Sequence, residues 1–450
     1  MQKPGAILIQ SRPRESSGWA FPVQMVMTNR ICTAEFPTRN TLSFPIDFDL
    51  VKCQKPPMAD SSFKTYWKIL IALSLVHFSG DFYSSFINPL YPAFMNKMGL
   101  SLAQVGFLAG ISRFLMFIIQ PMSGYWADRH PSRSFILIGL LMPILFIPLV
   151  GLTTGFYGLL LCIVIGSSGS SLFHPPVTGM VPQYAGRKLG LAMSLYNTAG
   201  TLAFGVGPIF ITWYVARFGL RAMPMTMALG LLIWIYFYRV IPKPKGDGMS
   251  QYGFLETLRQ TLGSVWQPIL LIWIAMVMRA LVGQSLMTFM PVLWVQKGHT
   301  IVSAGVLFSI FTISGTVAGI LCGHLSDRMG YKRLLWITHG LMTPFLLLFL
   351  SVPGQWIYPA TILAGGFNMA SLPLGVVMAQ KIAPKGRSMV ASLMMGLAFG
   401  TGGILSPVVG KLGDIFTIQS VLMILVCIPV FSLIPIYFIP EVGDRNGAPS

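Results

Sequence analysis

Long apolar runs separated by short polar turns dominate the chain from Tyr66 onward. A helix that crosses the hydrocarbon core of a membrane needs about 20 mainly apolar residues, and these runs approach or exceed that length. The pattern therefore predicts twelve spanning helices, which we number from the first to the twelfth span. Their predicted ranges are 66–90, 102–123, 134–153, 156–181, 188–213, 220–240, 267–291, 301–323, 334–352, 356–380, 388–410 and 417–438.

The composition supports a membrane protein. The chain is 54% hydrophobic and only 10% charged, whereas about 25% of the residues of a soluble domain are charged. Its mean hydropathy is +0.69. The 46 Gly and 32 Pro are tolerated in membrane helices, where small residues allow close packing and neighbouring groups satisfy the backbone. We therefore expect an all-α polytopic membrane protein.

A single long polar break interrupts the spans and divides them six and six. The break at 241–266 predicts a cytoplasmic linker between two bundles, at 58–240 and 267–440, followed by a tail at 441–450. Residues 1–57 contain no run long enough to span and no signal-peptide pattern. We interpret them as a disordered cytoplasmic tail, or as an extension upstream of a natural start at Met58.

The basic residues predict the orientation. From Met58 on, seventeen Lys and Arg lie in one set of loops and five in the opposite set, namely Lys97, Arg217, Arg221, Lys297 and Lys411. Cytoplasmic loops carry the excess of Lys and Arg, so we expect both termini in the cytoplasm. The net charge of +18 follows from this bias, and we predict no binding of nucleic acid.

The two halves of the chain repeat at a constant offset. Asp128-Arg129 and Asp327-Arg328 are 327 − 128 = 199 residues apart, and the same offset relates six further Gly and Pro pairs. Internal repeats of this kind place the binding site of many secondary transporters between two moving halves. The pairs are Pro92 and Pro291, Gly99 and Gly298, Gly106 and Gly305, Gly124 and Gly323, Gly166 and Gly365, and Pro208 and Pro407.

The duplicated loops resemble the G-x-x-x-D-R-x-G-x-[KR]-[KR] signature of the major facilitator superfamily. The second copy matches it, whereas the first has Pro131 and Ser132 where Gly and a basic residue are usual. This resemblance implies the major facilitator fold, with two pseudo-symmetric six-helix bundles. We predict a conformational latch that forms in one state of the transporter, although a plain cytoplasmic stop signal is the alternative. The predicted latch residues are Gly124, Asp128, Arg129, Gly323, Asp327 and Arg328.

Two segments resemble the fosmidomycin-resistance group of drug exporters in this superfamily. They are His77-Phe-Ser-Gly-Asp81 in the first span and the stretch from Gly166 to Pro175 in the fourth. The fifth span, with Gly200, is similar to a Gly-rich helix associated with antiporters. The resemblance implies export of a small organic compound.

Asp81 is the only acidic residue well inside a predicted span. His77 precedes it by four residues and so lies on the same helical face. A partly desolvated carboxylate beside an imidazole can bind and release protons near neutral pH. We therefore predict that Asp81 and His77 couple transport to protons. A structural hydrogen-bonded pair is the alternative.

Other polar residues inside the spans are candidates for the substrate cavity. Arg113 and Arg279 lie near the middles of the second and seventh spans, where one could pair with Asp81 or both could attract an anion. We expect His174 and the two prolines after it to break the fourth helix and expose carbonyls toward the cavity, or to form a packed kink. Asn197 and Gln284 line the cavity or serve as interhelical contacts.

These observations lead to one expected function and two rivals. We expect a monomeric secondary transporter of the cytoplasmic membrane that works by alternating access and exports a small compound in exchange for protons. Import of a small organic anion with protons is the second possibility. A membrane-embedded transferase is a rival of another class, but we predict no enzyme, since motifs such as H-E-x-x-H, G-x-S-x-G and the P-loop are missing. The five cysteines show no paired spacing, and we predict neither cofactor nor metal.

Overall fold

The structure is a computed structural model, and it describes most of the chain from residue 65 onward. The described residues are 9–10, 21–27, 30–36, 51–54, 65–129, 133–243, 256, 259, 262–383, 390 and 393–441. They belong to two units, Met1–Thr65 and Tyr66–Ser450. Most of the predicted linker at 241–266, and the tail after residue 441, lie outside the described residues.

The described part of the first unit is a four-stranded antiparallel sheet. Its strands are Ile9–Gln10, Phe21–Met27, Arg30–Phe36 and Val51–Gln54, paired in chain order. This differs from the disordered tail that the sequence predicts. Apolar residues at positions 21, 23, 25 and 27 follow a period of two, which is the pattern of a strand. An origin upstream of the natural start stays a prediction.

The second unit is helical, and its described residues contain eleven helices long and apolar enough to cross a membrane. This confirms the all-α polytopic class. The first span extends beyond its predicted end, because two helices, Trp67–Ser84 and Ile87–Met98, follow each other through a short turn. The eleven candidate spans are Trp67–Met98, Leu102–Gly124, Arg133–Leu152, Phe156–Ala185, Leu191–Phe218, Leu220–Val240, Trp266–Gln296, Ile301–Ser326, Tyr331–Ser351, Gly354–Ile382 and Ile418–Phe438.

The predicted eleventh span, 388–410, is not one continuous helix among the described residues. It contains a π-helical turn, Leu393–Leu397, followed by helices at Ala398–Ile404 and Ser406–Ile415. The second break precedes Pro407, which has no N–H to donate to the carbonyl four residues earlier.

The fourth span is unbroken, so the predicted break after His174 is wrong. One helix runs from Phe156 to Ala185 through Pro175 and Pro176. Pro176 cannot donate to the Leu172 carbonyl, but the hydroxyl of Ser123 on the second span donates to that oxygen over 2.6 Å. A neighbouring helix thus satisfies the carbonyl that proline leaves free.

Contacts between the two halves repeat the 199-residue offset. The second span packs against the segment Ser406–Ile415, and the fifth packs against the eighth. A Cβ at Gly106 would lie 3.0 Å from Pro407 Cα, and one at Gly305 would lie 2.8 Å from the Pro208 carbonyl oxygen. Because 305 − 106 and 407 − 208 both equal 199, the two contacts are equivalent. These glycines allow the helices of opposite halves to approach closely.

A carboxylate joins the halves at the Leu102 end of the second span. Asp414 accepts hydrogen bonds from the backbone N–H groups of Leu102, at 2.8 Å, and Ala103, at 2.9 Å. These are among the first N–H groups of a long helix, which have no partner within the helix and attract negative charge. The Leu102 end is therefore closed.

The contacts between the second and eleventh spans run from Leu102 as far as Phe117, where a Cβ at Gly400 would lie 2.7 Å from Phe117 Cβ. The two halves therefore touch along the part of the second span that begins at Leu102.

Candidate functional site

Asp81 lies between two imidazoles that come from different spans. Its side chain is buried in the first span. Oδ2 lies 3.2 Å from His77 Nε2, one helical turn earlier, and Oδ1 lies 3.0 Å from His174 Nε2 on the fourth span. We call Asp81, His77 and His174 the carboxylate–imidazole cluster. The sequence predicts the first pair from its spacing, but it assigns His174 to the substrate cavity, because spacing cannot show which helix that side chain contacts.

Backbone carbonyls fix the orientation of both imidazole rings. His77 Nδ1 lies 2.9 Å from the Tyr196 carbonyl oxygen, and His174 Nδ1 lies 2.6 Å from that of Ser170. A carbonyl oxygen can only accept a hydrogen bond, so each Nδ1 carries a hydrogen. Each Nε2 then faces Asp81 and is the ring nitrogen that can share a hydrogen with the carboxylate.

Aromatic contacts and the fifth span hold the cluster. The His77 ring stacks on Tyr196 with centroids 4.1 Å apart, and the Tyr196 hydroxyl lies 2.9 Å from Thr178 Oγ1. A Cβ at Gly200 would lie 2.5 Å from His77 Nε2 and 2.8 Å from Asp81 Oδ2. Gly200 therefore allows the fifth span to close against the pair. The sequence marks Gly200 only as part of a Gly-rich helix, and its contact depends on the packing of two spans.

Arg113 does not form an ion pair with Asp81. Within the described residues, the ion pairs of Asp81 are with the two histidines. Arg113 instead lies at the contact between the halves, where a Cβ at Gly403 would lie 2.7 Å from its own Cβ. The equivalent contact in the repeat is a hydrogen bond of 3.2 Å from the Thr312 hydroxyl to the Phe204 carbonyl. Both differences, 312 − 113 and 403 − 204, equal 199.

Arg279 is buried in the seventh span, and no carboxylate among the described residues pairs with it. Only 2% of the residue is exposed, and its Nε and Nη1 atoms have no hydrogen-bond partner in the described chain. Its guanidinium carbon lies 5.2 Å from the centroid of the Phe399 ring. Since 279 − 199 = 80, Arg279 occupies the position equivalent to Gly80, next to Asp81. The two halves thus carry opposite charges at adjacent positions of the repeat.

Asn197 and Gln284 lie apart from the polar contacts of the cluster. Asn197 is exposed on the fifth span, and Gln284 is buried in the seventh. Their predicted place in the cavity stays a prediction.

The predicted latch residues lie at the ends of two long helices. The helix of the second span ends at Arg129, and that of the eighth ends at Met329. Arg328 is exposed, whereas the side chains of Asp128, Arg129 and Asp327 lie outside the described residues. The latch at this end therefore stays a prediction.

The cluster is also a group of potential metal ligands. One ligand atom from each of His77, Asp81 and His174 lies within 4.8 Å of the others. A closed tetrahedral site needs a fourth ligand, and the described residues offer three in this group. Among the described residues, the cluster therefore offers three of the four ligands of a closed metal site.

Comparison with known proteins agrees with the fold and its repeat. Residues 73–407 and 272–449 match the model of the Major Facilitator Superfamily. The Fosmidomycin resistance protein of Escherichia coli (strain K12) is 25% identical over 384 residues, which cover 84% of this chain and 94% of that protein. The uncharacterized MFS-type transporter YfnC of Bacillus subtilis (strain 168) is 25% identical over 378 residues, covering 82% and 92%.

Solved structures show the same architecture. A bacterial homologue of the human lysosomal transporter Spinster, in an inward-facing and unoccupied conformation, aligns with a TM-score of 0.70 at 16% identity. The alignment covers 82% of this chain and 96% of that one. At this identity the likeness shows the fold. Together with the match over most of the chain, it shows that this multi-pass membrane protein belongs to the Major Facilitator Superfamily of secondary transporters.

Proposed function

We propose that this protein exports a small organic compound across the cytoplasmic membrane in exchange for protons. The observation that carries the proposal is the carboxylate–imidazole cluster. A buried charged group inside a membrane span is costly and is usually functional. Three side chains that can bind protons meet here, with both imidazoles within hydrogen-bond distance of Asp81, in the first six-helix half of the molecule.

The cluster is well placed for coupling because it joins three spans. Asp81 and His77 belong to the first span, His174 to the fourth, and the carbonyl of Tyr196 to the fifth. A change in protonation alters the contacts between these helices. That is the requirement for linking proton binding to a change of state.

The direction of transport rests on the relatives. The Escherichia coli relative is named for resistance to fosmidomycin, and removal of a drug from the cell is one route to resistance. With both termini in the cytoplasm, as the charge bias favours, the closed Leu102 end faces outward. Since Asp414 joins the halves at the Leu102 end, we infer that this state opens toward the cytoplasm, from which an exporter takes its cargo.

Flux across proteoliposomes tests the proposal. With fosmidomycin as the probe, a proton antiporter drives uptake into vesicles that are acidic inside, and Asp81→Asn abolishes this uptake. The matched control is Glu441→Gln, which removes an exposed carboxylate after the last span and leaves the flux unchanged. Uptake by Asp81→Asn at the rate of the unmodified protein, under the same gradient, refutes the role of the cluster.

Import of a small anion together with protons is the second candidate, and Arg279 supports it. A buried guanidinium without an anion is unfavourable in an apolar surrounding, and a negatively charged substrate would pair with it. The same vesicles separate the two mechanisms. A symporter accumulates the probe when the outside is acidic, whereas an antiporter does so when the inside is acidic.

A further inference from the structure

The hydrogen bonds of the cluster determine how many protons it holds. Each imidazole has an oxygen acceptor at both ring nitrogens. His77 lies 2.9 Å from the Tyr196 carbonyl and 3.2 Å from Asp81 Oδ2. His174 lies 2.6 Å from the Ser170 carbonyl and 3.0 Å from Asp81 Oδ1. The cluster therefore makes four contacts between a ring nitrogen and an oxygen, and each one needs a hydrogen.

Two neutral imidazoles and an ionised carboxylate supply only two of these hydrogens. The two backbone carbonyls take them, since a carbonyl can only accept. Both Nε2 lone pairs would then face the lone pairs of Asp81 across 3.0 and 3.2 Å. Lone pairs that face each other at this distance repel. One added proton would place a hydrogen in only one of the two contacts, and the repulsion would remain in the other.

We propose that the cluster binds two protons in this state, and that both are exchanged in each transport cycle. The count does not depend on whether a proton lies on Nε2 or on the carboxylate, because each contact with Asp81 takes one. The net charge of the three side chains rises from −1 to +1 as the two protons bind. The second half of this proposal rests on the proposed function, whereas the first half concerns the site alone.

Charged groups nearby act on the second proton. Two further ionisable groups interact with the charge of Asp81, namely Arg113 on the second span and Tyr196 on the fifth. The hydroxyl of Tyr196 is hydrogen-bonded to Thr178. Arg113 is positive, so it opposes the change of the cluster to +1. Arg113 also packs against Gly403 of the opposite half, and movement of the halves changes its distance from the cluster. This provides a physical route from opening to proton release.

Nitrogen NMR of the full chain in lipid nanodiscs tests the count without a substrate. The chain has six histidines, and ¹⁵N labelling of them shows which ring nitrogens carry hydrogen. At neutral pH we expect two imidazoles with hydrogen on both ring nitrogens, or with Nε2 hydrogen-bonded to the protonated carboxylate. His77→Gln and His174→Gln assign the two signals, and Asp81→Asn removes the strong hydrogen bond from both.

Two controls keep this test decisive. Size-exclusion profiles and thermal unfolding show whether each variant is folded, and His299→Gln serves as the matched substitution outside the cluster. A ring in the intact site whose Nε2 has neither a hydrogen nor a hydrogen-bonded proton overturns the count. A spectrum that changes on addition of EDTA also overturns it, because a bound metal ion would then occupy the place of the protons.

Transport at zero membrane potential tests the exchange. A difference of one pH unit across the vesicle membrane drives the accumulation of fosmidomycin. Each exchanged proton contributes a factor of ten, so two protons support about 100-fold accumulation and one proton about 10-fold. We expect the higher limit for the intact protein and the lower limit for His174→Gln. If the NMR shows two protons and the flux shows the one-proton limit, the exchange of both is refuted while the site stands. If no gradient drives any flux, the proposed function itself fails.

Discussion

Asp414 gives the most direct test of how the two halves are held together. Its carboxylate accepts hydrogen bonds from the N–H groups of Leu102, at 2.8 Å, and Ala103, at 2.9 Å, across the boundary between the halves. Asp414→Asn keeps one acceptor oxygen at the same place. It removes the negative charge and the second acceptor, so it tests the charged cap as a whole.

The magnitude follows from the position of the carboxylate at a helix N-terminus. A negative charge there contributes about 0.3–1 kcal/mol when exposed and up to about 2 kcal/mol when partly buried. The bond to Leu102 is partly buried and the one to Ala103 is exposed. We therefore expect a loss of about 1–2 kcal/mol. This corresponds to a shift of about 5- to 30-fold toward states that are open at the Leu102 end.

Distances between spin labels measure this shift. Thr154→Cys and Phe416→Cys place labels at exposed positions of opposite halves, in a protein whose native cysteines are replaced. Asp414→Asn is expected to increase the population with long distances. Lys411→Gln is the control, because it changes an exposed charge in the same segment. Identical distance distributions for Asp414→Asn and the unmodified protein refute the reasoning, as does an equal shift in the control.

Three further predictions follow from single contacts. Gly200→Ala presses a methyl group against His77 and Asp81 and should lower proton-driven flux at least tenfold. The control Gly179→Ala places its methyl group in open space and should leave the flux unchanged. Equal fluxes of the two variants would contradict this prediction. Ser123→Ala leaves the Leu172 carbonyl without its donor and should cost about 1–3 kcal/mol of stability; an unchanged unfolding temperature in detergent would argue against it. Arg279→Met removes a buried charge that has no anionic partner among the described residues and should raise that temperature. A lower value would show that the charge is paired.

Features that depend on local pattern could be predicted from the sequence. The apolar runs predict the spans because a helix that crosses the hydrocarbon core must be apolar along its whole length. That property can be identified from the sequence alone. The spacing of His77 and Asp81 predicts their contact, since residues four apart lie on one face of a helix. The structure brings their atoms to 3.2 Å.

Features that depend on a second helix could not be predicted. The prolines after His174 indicate a break when the fourth span is considered alone. In the structure, Ser123 of another span donates to the freed carbonyl of Leu172, and the helix continues. The continuous helix then places His174 against Asp81. The motif that the sequence assigns to a cavity lining is thus, in the structure, a hydrogen-bonding partner of Asp81.

By itself, the sequence determined that this protein is a membrane protein of about twelve spans with an internal repeat, because hydrophobic length and a constant offset are properties of the chain alone. Only the tertiary structure decided which polar groups meet. Asp81 is shared between two histidines, Arg113 contacts Gly403, and Asp414 caps the second span. The physical reason is that the energy of a charge inside a membrane is set by its neighbours within a few ångströms. Those neighbours lie on other helices, up to 312 residues away along the chain.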